Sequence, residues 1–352
     1  MKLIAAILIF SATVLSGCNF KPESESLPLS VKSTLSLLQD DPQFVMYMNF
    51  KNMRRSSFWQ RNISDSLLNA EKTFGSLLNT FKIATGASLS EGIDELYYSN
   101  SWFGENAIVM KGILDKNKLS EFISGDSLFS VAKNINGIPV YFKSDNGLYF
   151  YFKDNNTICA SNYLKQIDAM MKVTDSSKSG ILQNEKVLNA INNTVYKEDI
   201  WMISTEKVFI RGIFQNFLQS SSGIESDHTD SSDSQNGLNI TDSAALLEKL
   251  TIENLYKRFN SISFSSKMSD ELDLVIQCEC INDESSKYLR SILNGVITVA
   301  KLKSSGNKKN SSMKILDGLK LNRYDNSVYI EMKVNDSNIN ELRNANLMSE
   351  PE

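Results

Sequence analysis

Of 352 residues, the first 17 form a removable leader, leaving 335 for the working protein, enough for two domains with cores of their own. Hydrophobic residues at 41%, charged residues at 22% and only 5 Pro exclude collagenous, coiled-coil and wholly disordered chains. Without the leader, 36 basic residues face 41 acidic ones, which excludes the positive field that nucleic-acid binding requires.

In chain order, Met1-Lys2 opens an apolar run from Leu3 to Val14. The run is too short for a permanent membrane span, which needs about 20 apolar residues, and suits an export signal. The residues that follow, Leu15-Ser16-Gly17-Cys18, resemble the lipobox of bacterial lipoproteins. That resemblance implies a diacylglyceryl group on the Cys18 thiol, cleavage after Gly17 and acylation of the freed amine. Each buried lipid CH₂ contributes about 0.8 kcal/mol, so a multiply acylated Cys18 is a stable membrane anchor. It also implies a place in the cell envelope, with Asn19 rather than Asp after the cysteine pointing to the outer rather than the inner membrane. The polar stretch Asn19 to Ser26 predicts a flexible tether over 18–27.

The body divides into two similar units, 28–178 and 179–348. In the first, a helix over Val31–Leu38 leads to a strand at Phe44–Asn49. A helical stretch follows through Ile63, Leu67, Phe74, Leu77, Leu78 and Phe81, closed by Gly86. Strands come next at Asp94–Ser99 and Ala107–Leu114, then a helix at Asn117–Ile123. Gly137–Lys153 predicts a hairpin turning at Asp145-Asn146-Gly147. The second unit repeats this order: helix Glu185–Ile191, strands Ile200–Thr205, Ser261–Ser265 and Leu272–Cys280, helix Asp283–Leu293, hairpin Gly318–Lys333. Its greater length falls in two polar tracts near 220–243 and 301–312, placed in exposed loops. The expected fold is α+β, two tandem units, each a mostly antiparallel sheet packed with helices. The residues Asp41-Pro42-Gln43-Phe44, Ile93-Asp94-Glu95-Leu96, Gly137-Ile138-Pro139 and Ile181-Leu182-Gln183-Asn184 give the body a resemblance. It is similar to uncharacterised exported bacterial proteins with two similar α+β halves, a likeness that carries no activity and no site residue.

The chemistry-bearing residues are few. His228 sits in the polar Glu225–Asp233 segment, so a histidine relay or a histidine metal site has nothing to build on. With Gly237 at the turn position, the calcium-loop template puts Ser232 first and Ser243 last, and fails. No cofactor or metal is therefore expected. Cys159, Cys278 and Cys280 are expected as buried free thiols. The acid couples Asp94-Glu95 and Asp270-Glu271 face opposite ways along a strand and cannot act on one atom. Trp59, Trp102 and Trp201 are the candidate ligand-contact aromatics, as if lining a groove for lipid, glycan or peptide. Phe58-Trp59 beside Arg54-Arg55 is either a membrane-touching patch or a helix start packed inward. The function read from the sequence is a lipid-anchored envelope protein acting as a non-catalytic binding or structural module. Its partners are the membrane and an envelope protein, lipid or glycan. The alternative is an exported hydrolase that uses a carboxylate pair or a Ser-Lys dyad.

Overall fold

A computed structural model of the chain describes residues 21–63, 92–101, 104–174, 179–212, 255–306 and 318–347. The strands are β1 (Phe44–Asn49), β2 (Ile93–Asn100), β3 (Asn106–Gly112), β4 (Phe129–Ile135), β5 (Ile138–Lys143), β6 (Leu148–Phe152), β7 (Thr157–Ser161) and β8 (Ile200–Ser204), then β9 (Phe259–Met268), β10 (Leu272–Cys280), β11 (Lys320–Tyr324) and β12 (Ser327–Val334). The helices are α1 (Leu29–Leu35), α2 (Phe50–Met53), α3 (Ser57–Asn62), α4 (Lys116–Gly125), α5 (Leu164–Lys172), α6 (Glu185–Asn193), α7 (Asp283–Gly306) and α8 (Asp336–Leu347). Local chemistry starts several of them. Asp115 accepts from the Asn117 and Lys118 amides at the head of α4, and Asn184 from the Val187 amide at the head of α6. Val187, Ala190 and Ile191 then bury one stripe of α6.

The protein is mixed α+β with one large antiparallel sheet. Its order is β11-β12-β10-β9-β8-β1-β2-β3-β7-β6-β5-β4. The expectation of a separate sheet in each half is thus corrected. β1 and β8 pair antiparallel, Tyr47 opposite Trp201, and fuse the halves into a single layer. Outward from that seam the order is β1-β2-β3-β7-β6 on one side and β8-β9-β10-β12-β11 on the other. The hairpin Gly318–Lys333 therefore occupies the place of β6–β7, not that of the β5–β6 hairpin with which its sequence aligned. The reason is a missed strand: β7 pairs with β3 as β12 pairs with β10. The tract 301–312 is also not wholly loop, because α7 runs on to Gly306. Of the expected helix from Ile63 to Phe81, only Ile63 lies within the described residues, and the 220–243 tract lies outside them.

Strand alternation sorts the apolar residues onto two faces. One face carries a row in register, Trp201, Tyr47, Tyr97, Val109, Cys159 and Tyr151, roofed by Val31 and Leu35 of α1, Ile167 and Met170 of α5, and Ile191 of α6. The Tyr47 ring lies 4.9 Å from Tyr97 and 5.7 Å from Trp201, centroid to centroid, contacts that add to burial. The other face packs Phe50, Met53 and Trp59 of the α2–α3 segment against Leu96, Ile108 and Met110. Farther along that face, Leu289 and Leu293 of α7 meet Ile262, Cys278 and Val328.

The N-terminal stretch is fastened earlier than the expected tether allows. From Ser24 it runs as a strap across the second half. The Ser24 hydroxyl donates to the Asn193 carbonyl at 2.8 Å and the Glu25 amide to that of Val195 at 2.9 Å. The Glu25 carboxylate accepts from the Lys197 amide and the Lys267 ammonium, each at 2.8 Å. Lys197 is almost fully buried, and its ammonium donates to the carbonyls of Asn192 (2.9 Å), Thr194 (2.7 Å) and Glu25. One cation thus closes the C-terminal end of α6 and pins the strap to it.

Candidate functional site

Of the candidate residues, Cys18, Trp102 and His228 lie outside the described residues. Trp59 and Trp201 are buried on opposite faces of the sheet and line no common groove. Both serve the core: Trp201 stands at an inward-facing register position of β8, and Trp59 packs from α3 against the opposite face of the sheet. Phe58 is fully buried as well, so the Arg54-Arg55 neighbourhood is a helix start packed inward. Arg54 pairs with Asp94 at 2.8 Å.

The acid couples are engaged separately. Asp94 meets Arg54 and Lys51, whereas Glu95 accepts from the Tyr97 hydroxyl at 2.7 Å and pairs with Lys111 at 3.4 Å. Asp270 takes the Ser57 hydroxyl, docking the β9–β10 turn onto α3. Cys159, Cys278 and Cys280 are buried free thiols, and burial pushes Cys159 and Cys280 up to about 12, far from the thiolate that nucleophilic chemistry needs. Among the described residues no group of His, Cys, Asp or Glu could hold a metal ion, and no helix is long and apolar enough to cross a membrane.

What the fold does assemble is a cleft of about 380 Å³ between the end of α1 and one end of the sheet. α1 and its exit supply Ser33, Thr34, Ser36 and Leu37; β3 supplies Lys111; the β6–β7 turn and β7 supply Lys153, Asp154 and Thr157. Val173, Thr174 and Leu182 complete the wall. The β3–β7 ladder sets Lys111 opposite Thr157, and the Lys153 amide donates to the Thr157 carbonyl at 3.0 Å, so the two lysines sit on one rigid corner. Lys111 is committed to Glu95 and stands 5.3 Å from the Tyr97 ring centre. Lys153 makes no salt bridge among the described residues and is exposed. Tyr97, beneath Lys111, is held well above the ordinary phenol value, by burial first and then by Tyr47 and Glu95, so it stays neutral and donates to Glu95. The cleft offers a small polar ligand one exposed ammonium, one carboxylate, three aliphatic walls and a row of hydroxyls, of which Ser33, Thr34 and Ser36 already donate to helix carbonyls. Sequence reasoning missed these residues because they come from five separated segments.

No protein-family model matches the chain, and no curated protein matches it. Among solved structures it is similar to the Treponema protein TP0453. Crystal form I of that protein gives a TM-score of 0.45 at 8% identity, covering 89% of this chain and 96% of the other. Form III gives 0.41 at 7% over 88% and 96%, and form IV gives 0.41 at 8% over 90% and 96%. At these scores the likeness assigns neither family nor role.

Proposed function

We propose that the protein is a lipid-anchored envelope module that binds a small polar ligand bearing a carboxylate or phosphate in the cleft under α1. Cys18 carries the anchor, and the outer membrane holds it. The reading takes the two halves as copies of one unit, supported by the mirrored strand order around the β1–β8 seam. The observation that carries the binding role is the exposed Lys153 ammonium in a hydroxyl-rich cleft, without a salt-bridge partner among the described residues. Lys111, already satisfied by Glu95, serves as a positioning residue that orients the corner.

The test is calorimetric titration of the mature protein with a panel of small dicarboxylates, phosphate monoesters and uncharged sugars. Binding of one acidic class is expected, weakened roughly ten- to a hundredfold by Lys153→Met, the range for one charged hydrogen bond. Affinity should fall far less with Lys133→Met, whose ammonium pairs with Asp168 on the surface. Equal affinity of wild type and Lys153→Met for every ligand, or binding of uncharged sugars alone, overturns the assignment.

A further inference from the structure

The cleft under α1 holds two uncommitted charges of opposite sign. Lys153 and Asp154 stand side by side in the β6–β7 turn, both exposed, and neither forms an ion pair among the described residues. The Lys111 charge is already cancelled by Glu95 at 3.4 Å. The turn itself fixes Asp154, whose Oδ1 accepts from the Asn156 amide at 2.8 Å and leaves Oδ2 for a ligand. Both charges are felt at one point of the floor. Burial first raises the Cys159 thiol and a Tyr151 hydrogen bond lowers it; of the charges, Lys153 and Lys111 lower it and Asp154 raises it. Cys159 lies on the same face of β7 as Thr157, which lines the cleft.

The opposite wall has a single polarity. The Ser33 and Thr34 hydroxyls donate to the Ser30 carbonyl, at 3.0 and 2.9 Å, and the Ser36 hydroxyl donates to that of Ser33 at 2.6 Å. A hydroxyl has one hydrogen, so what these three keep for a ligand is oxygen lone pairs. A bare anion finds its counter-ion at Lys153 but also meets the Asp154 carboxylate and this row of acceptors. An acid with an ammonium of its own finds a partner in each place.

We infer that the ligand of this cleft is an acid that also bears a primary ammonium. Its carboxylate or phosphate pairs with Lys153, and its ammonium pairs with Asp154 and the hydroxyl oxygens of α1. Leu37, Val173 and Leu182 take the carbon chain. The inference rests on the binding role proposed above and narrows it to the chemistry that an amino acid and phosphoethanolamine share.

The experiment titrates the mature protein calorimetrically with two matched pairs, aspartate against succinate and phosphoethanolamine against ethyl phosphate. The members of each pair differ in the ammonium. In at least one pair the ammonium-bearing member should bind roughly ten- to a hundredfold tighter, the range for one charged hydrogen bond. The pair that shows the preference names the acid group. Asp154→Asn keeps an Oδ1 acceptor for the Asn156 amide, and with it the turn, and should bring that ratio close to one. Lys153→Met should weaken the preferred ligand as well. Equal affinity within both pairs, reduced throughout by Lys153→Met, overturns the inference and leaves the binding role standing. A preference for the ammonium that survives Asp154→Asn undiminished overturns the inference too. Binding of none of the four ligands, nor of any other acid in the wider panel, overturns the binding role and the inference together.

Discussion

Replacing Gly180 with alanine should lower the unfolding free energy by about 3 kcal/mol or more, read as a shift of the urea midpoint. Gly180 opens the short turn Gly180–Gln183 at φ +54°, where an L side chain is strained by about 1–2 kcal/mol. The space is also taken: a Cβ would stand 2.2 Å from the Leu38 carbonyl oxygen and 2.6 Å from that of Ser36. Both are backbone atoms of the α1 exit, which the Ser179 hydroxyl also contacts at the Ser36 carbonyl, so relief requires moving a cleft wall. Gly147→Ala separates the two causes. Gly147 has φ +66° but nothing within 4 Å of its Cβ, so it should show the conformational part alone. Equal effects at both positions would mean that the close approach at Gly180 is not real, and ligand affinity should fall only for the Gly180 variant.

Lys197→Met should destabilise by about 3–5 kcal/mol, because it leaves the carbonyls of Asn192, Thr194 and Glu25 without their shared donor and the Glu25 carboxylate with one cation fewer. The pH dependence carries a sign. Burial lowers Lys197 to about 8 in the folded protein, below its ordinary 10.5. Between those values the unfolded chain binds more protons than the folded one at this group, so its contribution to stability rises with pH. Below pH 8 the ammonium is charged in both states and carries its full desolvation penalty. The gap between wild type and Lys197→Met should therefore widen from pH 8 towards pH 10, by up to about 1.4 kcal/mol per pH unit. A gap that narrows over that range would show that Lys197 is not desolvated. Amide exchange of residues 24–27 should speed up in the variant if this lysine fastens the strap.

Much of the fold was legible because burial leaves periodic marks. The apolar spacing in α6 and the strand runs Phe44–Asn49 and Leu272–Cys280 fall where expected. β7 was missed because all five of its residues are buried, which removes the alternation that announces a strand. β4 was missed for the opposite reason: it is an edge strand with Ser130 to Asn134 exposed, so no inward face shows. Missing these strands misaligned the two hairpins. The strap was misjudged because Glu25 looks like a solvated tether residue until Lys197 and Lys267 arrive from far along the chain. The cleft was invisible for the same reason: Thr34, Lys111 and Lys153 carry no shared motif and meet only through the β3–β7 ladder and the α1 packing. The tryptophans misled because amphipathic rings look alike whether they line a groove or fill a core.

The anchor is the claim on which the envelope role stands, and the mass of the mature N-terminal peptide tests it most directly. The expected peptide begins at Cys18 and carries a diacylglyceryl group with an acylated amine. A peptide that begins elsewhere, or a Cys18 of unmodified mass in protein recovered from the soluble fraction, contradicts it.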